Sequence, residues 1–289
     1  MEIGKYGVFS FTDQLDAANL AELAKRVEDL GYSTLWYPEA FNYETFALGG
    51  FLLSNSTTLQ VASGIANIYG RDPSASVMGC NSLNSLYNGR FLLGLGVSHA
   101  PLVADVRGHD YKKPVATMRS YLKLMDTAWE AFGGIPEEKP VVLAALGPKM
   151  TRLSSEQTLG TFPYNITVDQ VAQSKSSMPA GGIICCEQKI CLTSDPDEAR
   201  KVARAAMSPY LSLPNYFNNW FRLGFEKADL ADGGSDRLMD AMVLWGDKDS
   251  IKNRLDEYLR NGADQVVIQA LRTDGKPGPD YHALEAMRD

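Results

Sequence analysis

The sequence predicts an α/β fold arranged as a single (β/α)8 barrel. Strand and helix patterns alternate along all 289 residues. Eight strand–helix pairs in this length give about 36 residues per pair, the size of one βαβ repeat. Hydrophobic residues make up 45% of the chain, enough for one large core, and no low-complexity linker divides it. A doubly wound sheet is the rival architecture, but it requires fewer strands or a second domain. We therefore expect one domain over residues 1–289.

Each strand is predicted from a short apolar run bounded by turn residues. The sixth strand has the weakest pattern of the eight. The expected strands are 6–11, 33–37, 59–65, 90–97, 140–145, a short one near 160–163, 183–192 and 265–271.

The helices are predicted from apolar residues spaced three and four apart and from capping residues. The first ends at Gly31, and another begins with Thr167 as N-cap and Gln170 three residues later. The expected helices are 17–30, 45–53, 73–88, 114–132, 148–158, 167–176, 195–206, 235–245 and 248–261. An aromatic insertion near the C-terminal end, 210–234, is expected to be irregular, and a Gly/Pro-rich tail to close the chain.

Charge and composition restrict the possible partners. A net charge of −7 without a cluster of basic residues argues against nucleic acid. No apolar run is long enough to span a bilayer and no signal pattern opens the chain, so we expect a cytoplasmic protein without a membrane partner. The four cysteines are expected to be buried thiols rather than a disulfide framework, and no metal is expected, with zinc at the last three of them as the alternative. They are Cys80, Cys185, Cys186 and Cys191.

Polar residues collect just past the carboxyl ends of the predicted strands. Glu39 follows the second strand, Asn67 the third and His99 the fourth, and Gly147 follows the fifth. Ligands bind at this end of parallel barrels, because loop residues and helix N-termini converge there. We therefore expect these four residues to open onto one common cleft.

Four stretches of the chain resemble the bacterial luciferase-like family, and specifically its coenzyme F420-dependent oxidoreductases. They are LGYSTLWYPEAF (30–41), TTLQVASGIANIYGRDP (57–73) leading into NGRFLLGLGVSH (88–99), VVLAALGPKMTRLSSE (141–156) and WGDKDSIKNRLDEYLRNGADQVVIQAL (245–271). The resemblance implies a TIM barrel with an insertion and hydride transfer between the deazaflavin F420 and a small organic substrate. A monooxygenase that uses reduced FMN and oxygen is the alternative, because the two subgroups share the fold and the ring site.

The resemblance also implies a set of cofactor-binding residues. A non-proline cis peptide is expected at Gly64–Ile65, behind the central ring of the cofactor. The loop that opens the helix at 148 is expected to hold the phosphate end on free N–H groups and Lys149, although a capped helix with a solvated lysine is also compatible with the sequence. The complete expected set is Gly64, Ile65, Asn67, Gly96, Leu146, Gly147, Pro148, Lys149, Asn165 and Thr167.

The candidate catalytic residues are His99 and Glu39. An imidazole titrates near neutrality and can donate a proton as hydride arrives, but a lone histidine is also compatible with a structural role. Glu39 is either an acid whose pKa is raised by burial or the structural partner of Arg71. The histidine that several family members carry in this loop is absent, which removes any mechanism that depends on it.

The apolar segment 211–221 is expected to form either a lid over the barrel mouth or a subunit contact. We expect a homodimer that acts on a small-molecule substrate. Only three histidines are present, without H-x-H or H-E-x-x-H, so a metal-dependent hydrolase is poorly supported. A barrel that binds a cofactor without catalysis remains open.

Overall fold

The computed structural model describes residues 3–179 and 182–288, and its centre is a closed barrel of eight parallel strands. In chain order the strands are β1 (Tyr6–Phe9), β2 (Thr34–Tyr37), β3 (Gln60–Ser63), β4 (Ala66–Asn67), β5 (Phe91–Gly96), β6 (Val141–Leu143), β7 (Gly160–Thr161), β8 (Ile183–Leu192), β9 (Val243–Gly246) and β10 (Gln265–Ala270). The ring runs β1-β2-β3-β5-β6-β7-β8-β10, and β10 pairs with β1 to close it. The predicted (β/α)8 barrel is confirmed.

Helices separate the strands along the chain, except that β4 follows β3 directly. They are α1 (Ala17–Asp29), α2 (Thr45–Ser54), α3 (Pro73–Leu86), α4 (Pro114–Phe132), α5 (Pro148–Gln157), α6 (Val168–Ser176), α7 (Pro196–Met207), α8 (Pro214–Arg222), α9 (Asp236–Met242), α10 (Lys248–Arg260) and α11 (Tyr281–Met287). Side-chain caps set several of the starts: Asp72, for example, accepts from the Ala75 N–H at 2.8 Å, with Pro73 in the first turn of α3. A π-helical turn, Pro101–Val106, follows β5.

The barrel interior is a packed core to which each strand of the ring, or the residue directly after it, contributes one buried side chain. The inner cluster consists of Phe9, Trp36, Ala62, Leu92, Val142, Phe162, Cys185 and Val267. The Trp36 and Phe162 rings stack with centroids 4.3 Å apart. Because side chains alternate along a strand, the residues two and four beyond Cys185 on β8 also face inward, at the mouth, which is the carboxyl end of the strands.

Two predictions for the C-terminal third are wrong, and one helix in the tail was not predicted. The helix expected over 235–245 ends at Met242, and Val243–Gly246 forms β9, which pairs with the upper half of β8. Tertiary pairing overrides the local helix pattern there, because these residues complete hydrogen bonds that β8 offers above the barrel. The insertion expected to be irregular contains α8, opened by Pro214, and the tail contains α11.

The described residues contain no helix that is long and apolar enough to cross a membrane. Within 3–179 and 182–288, no group of three or more His, Cys, Asp or Glu side chains is arranged to hold a metal ion. All four cysteines are buried free thiols.

Candidate functional site

The peptide bond between Gly64 and Ile65 is cis, which confirms the prediction. It lies between β3 and β4 and faces β5, where two glycines permit the close approach. A Cβ on Gly94 would lie 2.0 Å from the Ser63 carbonyl oxygen, and one on Gly96 would lie 2.5 Å from Ile65 Cδ1. The Gly-Leu-Gly pattern that ends β5 is therefore required by the backbone and side chain packed against it.

Glu39, Asn67, His99 and Gly147 follow neighbouring strands at the mouth, as expected. Asn67 pairs in register with Gly96 at the end of β5, and β5 pairs with β6, which leads to Gly147. The four residues therefore share one arc of the rim. Whether a ligand occupies one cleft between them stays a prediction.

Glu39 is engaged in a buried ion pair with Arg71. Its Oε2 accepts from Arg71 Nη1 at 3.1 Å and from the Asn67 N–H at 2.7 Å, and its Oε1 accepts from Arg71 Nη2. The two side chains are 6% and 9% exposed. Burial acts to lower the pKa of Arg71, but the bonds and charges of Glu39 and Glu44 outweigh it and raise that pKa. These contacts agree with the second role expected for Glu39, that of a structural partner of Arg71.

His99 is half-buried, and its partner comes from the insertion. Nδ1 lies 3.0 Å from Asn215 Oδ1, and the ring lies 5.5 Å from that of Tyr216. An amide oxygen can only accept, so the proton lies on Nδ1 and Nε2 is left as the acceptor of a neutral imidazole. Burial lowers the pKa of His99, although the Asn215 contact opposes the shift. The neutral form therefore dominates at pH 7.

One helix of the insertion, α8, contacts two loops at the mouth and the neighbouring helix α6. Besides the Asn215 contact to His99, Trp220 Nε1 donates to the Asn165 carbonyl oxygen at 3.0 Å. Asn219 Nδ2 donates to Gln170 Oε1 at 2.6 Å, on α6. The insertion thus packs against residues at the mouth of its own barrel, and both expected roles, as a lid and as a subunit contact, stay predictions.

The loop predicted to bind phosphate has the expected local form. Gly147 precedes α5, Pro148 occupies its first turn, and Lys149 is exposed. The sequence reasoning missed a second cation here. Arg222, at the end of α8, places Nη2 3.6 Å from the position that a Cβ on Gly147 would take. Arg222 reaches this loop through α8, which was not predicted. The sequence pattern around Gly147 therefore gave no indication of Arg222.

Three of the predicted cofactor residues carry buried polar groups without a hydrogen-bond partner among the described residues. They are Asn67 Nδ2, Asn165 Nδ2 and Thr167 Oγ1. Buried polar groups in folded proteins are almost always paired, so such groups mark places where a ligand or water completes the structure. Asn165 and Thr167 belong to the loop after β7, beside α5. The donor set therefore fits a ligand with oxygen acceptors.

A charged pair inside the barrel mouth was also missed. Lys189 and Glu187 on β8 are each 1% exposed at the side chain, and Lys189 Nζ lies 3.1 Å from Glu187 Oε1. Burial lowers the pKa of Lys189 and raises that of Glu187, and each partner's charge opposes the other's shift. Glu187 and Lys189 lie two and four residues after the inward-facing Cys185. This alternation along β8 is the sequence pattern that predicts their side chains inside the barrel.

A cavity of about 500 Å³ opens at the mouth between β1, β10 and α7. Its walls include Phe9, Phe11, Val202 and Leu271, with Gln269 among the polar groups. None of the predicted site residues lines it, so the sequence reasoning missed this cavity as well. Its volume suits a small organic molecule.

Comparisons with known proteins match this architecture. A relative from Mycobacterium tuberculosis, named provisionally as a coenzyme F420-dependent oxidoreductase, is 23% identical over 322 residues, covering 87% of this chain and 90% of its own. The structure of an F420-dependent secondary alcohol dehydrogenase in complex with an F420–acetone adduct is similar with a TM-score of 0.78 at 14% identity, covering 100% of both chains.

The oxygenating constituent of 3,6-diketocamphane monooxygenase from Pseudomonas putida, a type II Baeyer–Villiger monooxygenase in complex with FMN, is similar with a TM-score of 0.72 at 14% identity, covering 98% of this chain and 96% of that chain. At these identities the structural likeness shows the fold alone. A family model described as luciferase-like monooxygenase matches residues 4–265. Since that match takes in most of the chain, the protein belongs to the luciferase-like monooxygenase family.

Proposed function

We propose that the protein is a coenzyme F420-dependent oxidoreductase that transfers a hydride between the deazaflavin and a small organic substrate at the barrel mouth. The observation that carries the proposal is the set of unpaired buried groups on Asn67, Asn165 and Thr167, all of them at or beyond strand ends on the rim. A cofactor with polar ring edges and a phosphate supplies the oxygen acceptors that these groups lack. The F420-dependent relative and structural neighbour support this choice of cofactor.

The phosphate end of the cofactor is assigned to the start of α5. Three features make this place favourable for an anion: the N–H group of Lys149 in the first turn, the positive end of the helix dipole, and the two exposed cations Lys149 and Arg222. Thr167, which precedes α6, adds a hydroxyl from the neighbouring loop. In this proposal the contacts anchor the cofactor and take no part in the chemical step.

The remaining residues position the reactants and exchange a proton with the substrate. When bound, the deazaflavin supplies or accepts the hydride. His99, with its Nδ1 proton held by Asn215, offers Nε2 for proton exchange with substrate. Glu39 holds Arg71 and the Asn67 backbone in place, and α8 excludes water from above. The cavity beside β1 and β10 provides room for a small, largely apolar substrate.

FMN is the second candidate cofactor, and the FMN complex of a similar barrel supports it. It too carries a phosphate and a polar ring edge, so the residues at the mouth fit either molecule. In that case the activity is oxygen-dependent, because reduced flavin reacts with oxygen whereas the deazaflavin serves hydride transfer.

Titration of the purified protein with F420 and, separately, with FMN tests the proposal. We expect saturable fluorescence changes with F420 and none with FMN at the same concentrations. Thr167→Val removes one donor and should weaken F420 binding, whereas Thr127→Val, on the exposed side of α4, serves as the matched control. Binding of FMN alone would replace the cofactor assignment, and binding of neither molecule would refute the proposed function. Binding of F420 without turnover of any small carbonyl or alcohol substrate would indicate a carrier protein.

A further inference from the structure

The buried pair of Lys189 and Glu187 is placed to control a single loop residue, Asn165. The Lys189 ammonium lies 2.5 Å from Asn165 Oδ1 and 4.0 Å from the centre of the Tyr164 ring. Glu187 Oε2 accepts from the Asn165 N–H at 3.3 Å. Both charged residues therefore contact Asn165 while they contact each other. Burying two charges is costly, and such a pair is retained most readily where it specifies one geometry.

Three of the four polar groups of Asn165 are held by the protein. Glu187 accepts from its N–H, the Trp220 indole donates to its carbonyl oxygen, and Lys189 donates to its side-chain oxygen. The backbone has a φ of 56°, in the left-handed region, which asparagine tolerates better than most residues. Only the side-chain Nδ2 has no partner among the described residues, and Asn165 is 2% exposed.

The charge on Lys189 determines which way the amide faces. An ammonium has donors and no acceptor, so it binds the amide oxygen and repels the amide nitrogen. With Oδ1 held toward Lys189, the two Nδ2 hydrogens must face the other way. A neutral group at position 189 would remove this preference, because a rotated amide would then be tolerated.

We propose that Lys189 and Glu187 are positioning residues that orient the Asn165 amide so that Nδ2 donates to an oxygen acceptor of the bound cofactor. This inference builds on the proposed function, since it names how one of the cofactor donors is set. The acceptor is an oxygen of the non-ring part of the molecule, where a phosphate or hydroxyl group offers lone pairs to the loop after β7.

The informative variant is the double substitution Glu187→Gln/Lys189→Met. It removes both charges with little change of length, so no unpaired charge is left in the barrel. The glutamine introduced at position 187 retains an oxygen that can accept from the Asn165 N–H. The matched control is Gln265→Met, which also replaces a fully buried polar side chain inside the barrel. Gln265 bonds Thr34 and Trp36 and contacts none of the mouth residues discussed above.

The first arm of the experiment needs no ligand. Crystal structures of the wild-type protein and of the double variant are compared at a resolution that distinguishes amide N from O through their contacts. We expect one orientation in the wild type, with Oδ1 toward Lys189, and a rotated or mixed amide in the variant. An unchanged single orientation in the variant would overturn the inference, even if the wild type bound neither F420 nor FMN.

The second arm measures the dissociation constant of whichever of the two cofactors the wild type binds. Asn165→Ala and the double variant should each raise it by about 5- to 50-fold, the range for one lost hydrogen bond in a buried site. The triple variant should bind no more weakly than Asn165→Ala alone, because Lys189 acts through Asn165. Gln265→Met should lower Tm yet leave the constant within about twofold. Losses that add in the triple variant would mean that Lys189 acts independently of Asn165.

Discussion

The indole of Trp220 donates its N–H to the main-chain oxygen of Asn165 at 3.0 Å, and thereby ties the insertion to the loop proposed to hold the cofactor. Both residues are almost completely buried. The insertion and this loop therefore form one unit, and a change in the insertion is expected to alter affinity at the proposed cofactor site without a direct contact to the cofactor.

Trp220→Phe tests this coupling. Phenylalanine keeps the packing against Tyr216, which lies 6.0 Å from the indole, but leaves the Asn165 carbonyl unpaired. We expect a loss of about 1–3 kcal/mol in the free energy of unfolding, measured by urea denaturation, and weaker cofactor binding. Phe221→Leu, on the neighbouring position of α8, is the control. If Trp220→Phe changes the free energy of unfolding but not the cofactor affinity, the insertion and the loop are not coupled.

Glu39→Gln separates a structural from a catalytic role. It leaves the Arg71 guanidinium buried with only Glu44 as a charged partner, so we expect a loss of about 2–4 kcal/mol in the free energy of unfolding. The double variant Glu39→Gln/Arg71→Met should recover part of that loss, because no unpaired charge remains. A variant of wild-type stability with greatly reduced turnover would instead identify Glu39 as the catalytic acid.

The barrel was predictable because most ring strands carry an apolar run and most helices an amphipathic period, several of them with a side-chain cap. The departures occur where distant pairing decides the structure. Val243–Gly246 continues an apolar helix pattern, and only the free edge above β8 makes it a strand. Pro214 marks the start of α8, a signal that the aromatic composition of the segment obscured.

The site was predictable only in part. Position past a strand end led to Asn67 and His99, and the family resemblance led to Asn165. Charge led to the pairing of Glu39 with Arg71. Arg222 and Asn215 were missed because a neighbouring helix brings them to the mouth. The alternation of Cys185, Glu187 and Lys189 on β8 was a usable signal, since it places two charges inside a barrel.

His99→Gln tests proton transfer. We expect cofactor affinity within a few-fold of wild type and turnover lower by about 10²–10⁴-fold, the usual contribution of general acid–base catalysis. Burial lowers the pKa of His99, so its titration should appear below pH 6.5. Turnover in the direction of substrate reduction should rise as the pH falls through the pKa of His99. Turnover in the direction of substrate oxidation should fall over the same range. A wild-type pH profile that persists in the variant would exclude His99.

Glu28 provides a test of stability away from the mouth. Its carboxylate accepts from the N–H groups of Thr57, Thr58 and Leu59 at 2.5–3.0 Å. Burial acts to raise its pKa, but these bonds outweigh it and lower the pKa to about 2. A depressed pKa means that the contribution is complete above pH 4.5 and is lost as pH falls toward 2.

Glu28→Gln should therefore destabilise the protein by about 1–3 kcal/mol at pH 7. The difference in the free energy of unfolding between wild type and variant, measured by urea denaturation, should become steadily smaller below pH 4.5. A gap that is independent of pH would mean that the carboxylate charge contributes nothing.

Lys149→Ala and Arg222→Met test the anchoring of the phosphate at the start of α5. Each removes one cation from a contact that is equally strong in the ground state and the transition state, so binding should weaken while turnover at saturating cofactor stays near wild type. We expect the cofactor dissociation constant of each variant to rise by roughly 5- to 100-fold, as for one charge-assisted contact. The difference in affinity between variant and wild type should become smaller as the salt concentration rises. Arg152→Ala is the matched control, because Arg152 lies on the exposed face of the same helix, paired with Glu156. Normal cofactor binding by both variants would place the phosphate on Asn165 and Thr167 alone. An equal loss of affinity in Arg152→Ala would mean that the effect comes from the net charge of the protein and not from a local contact.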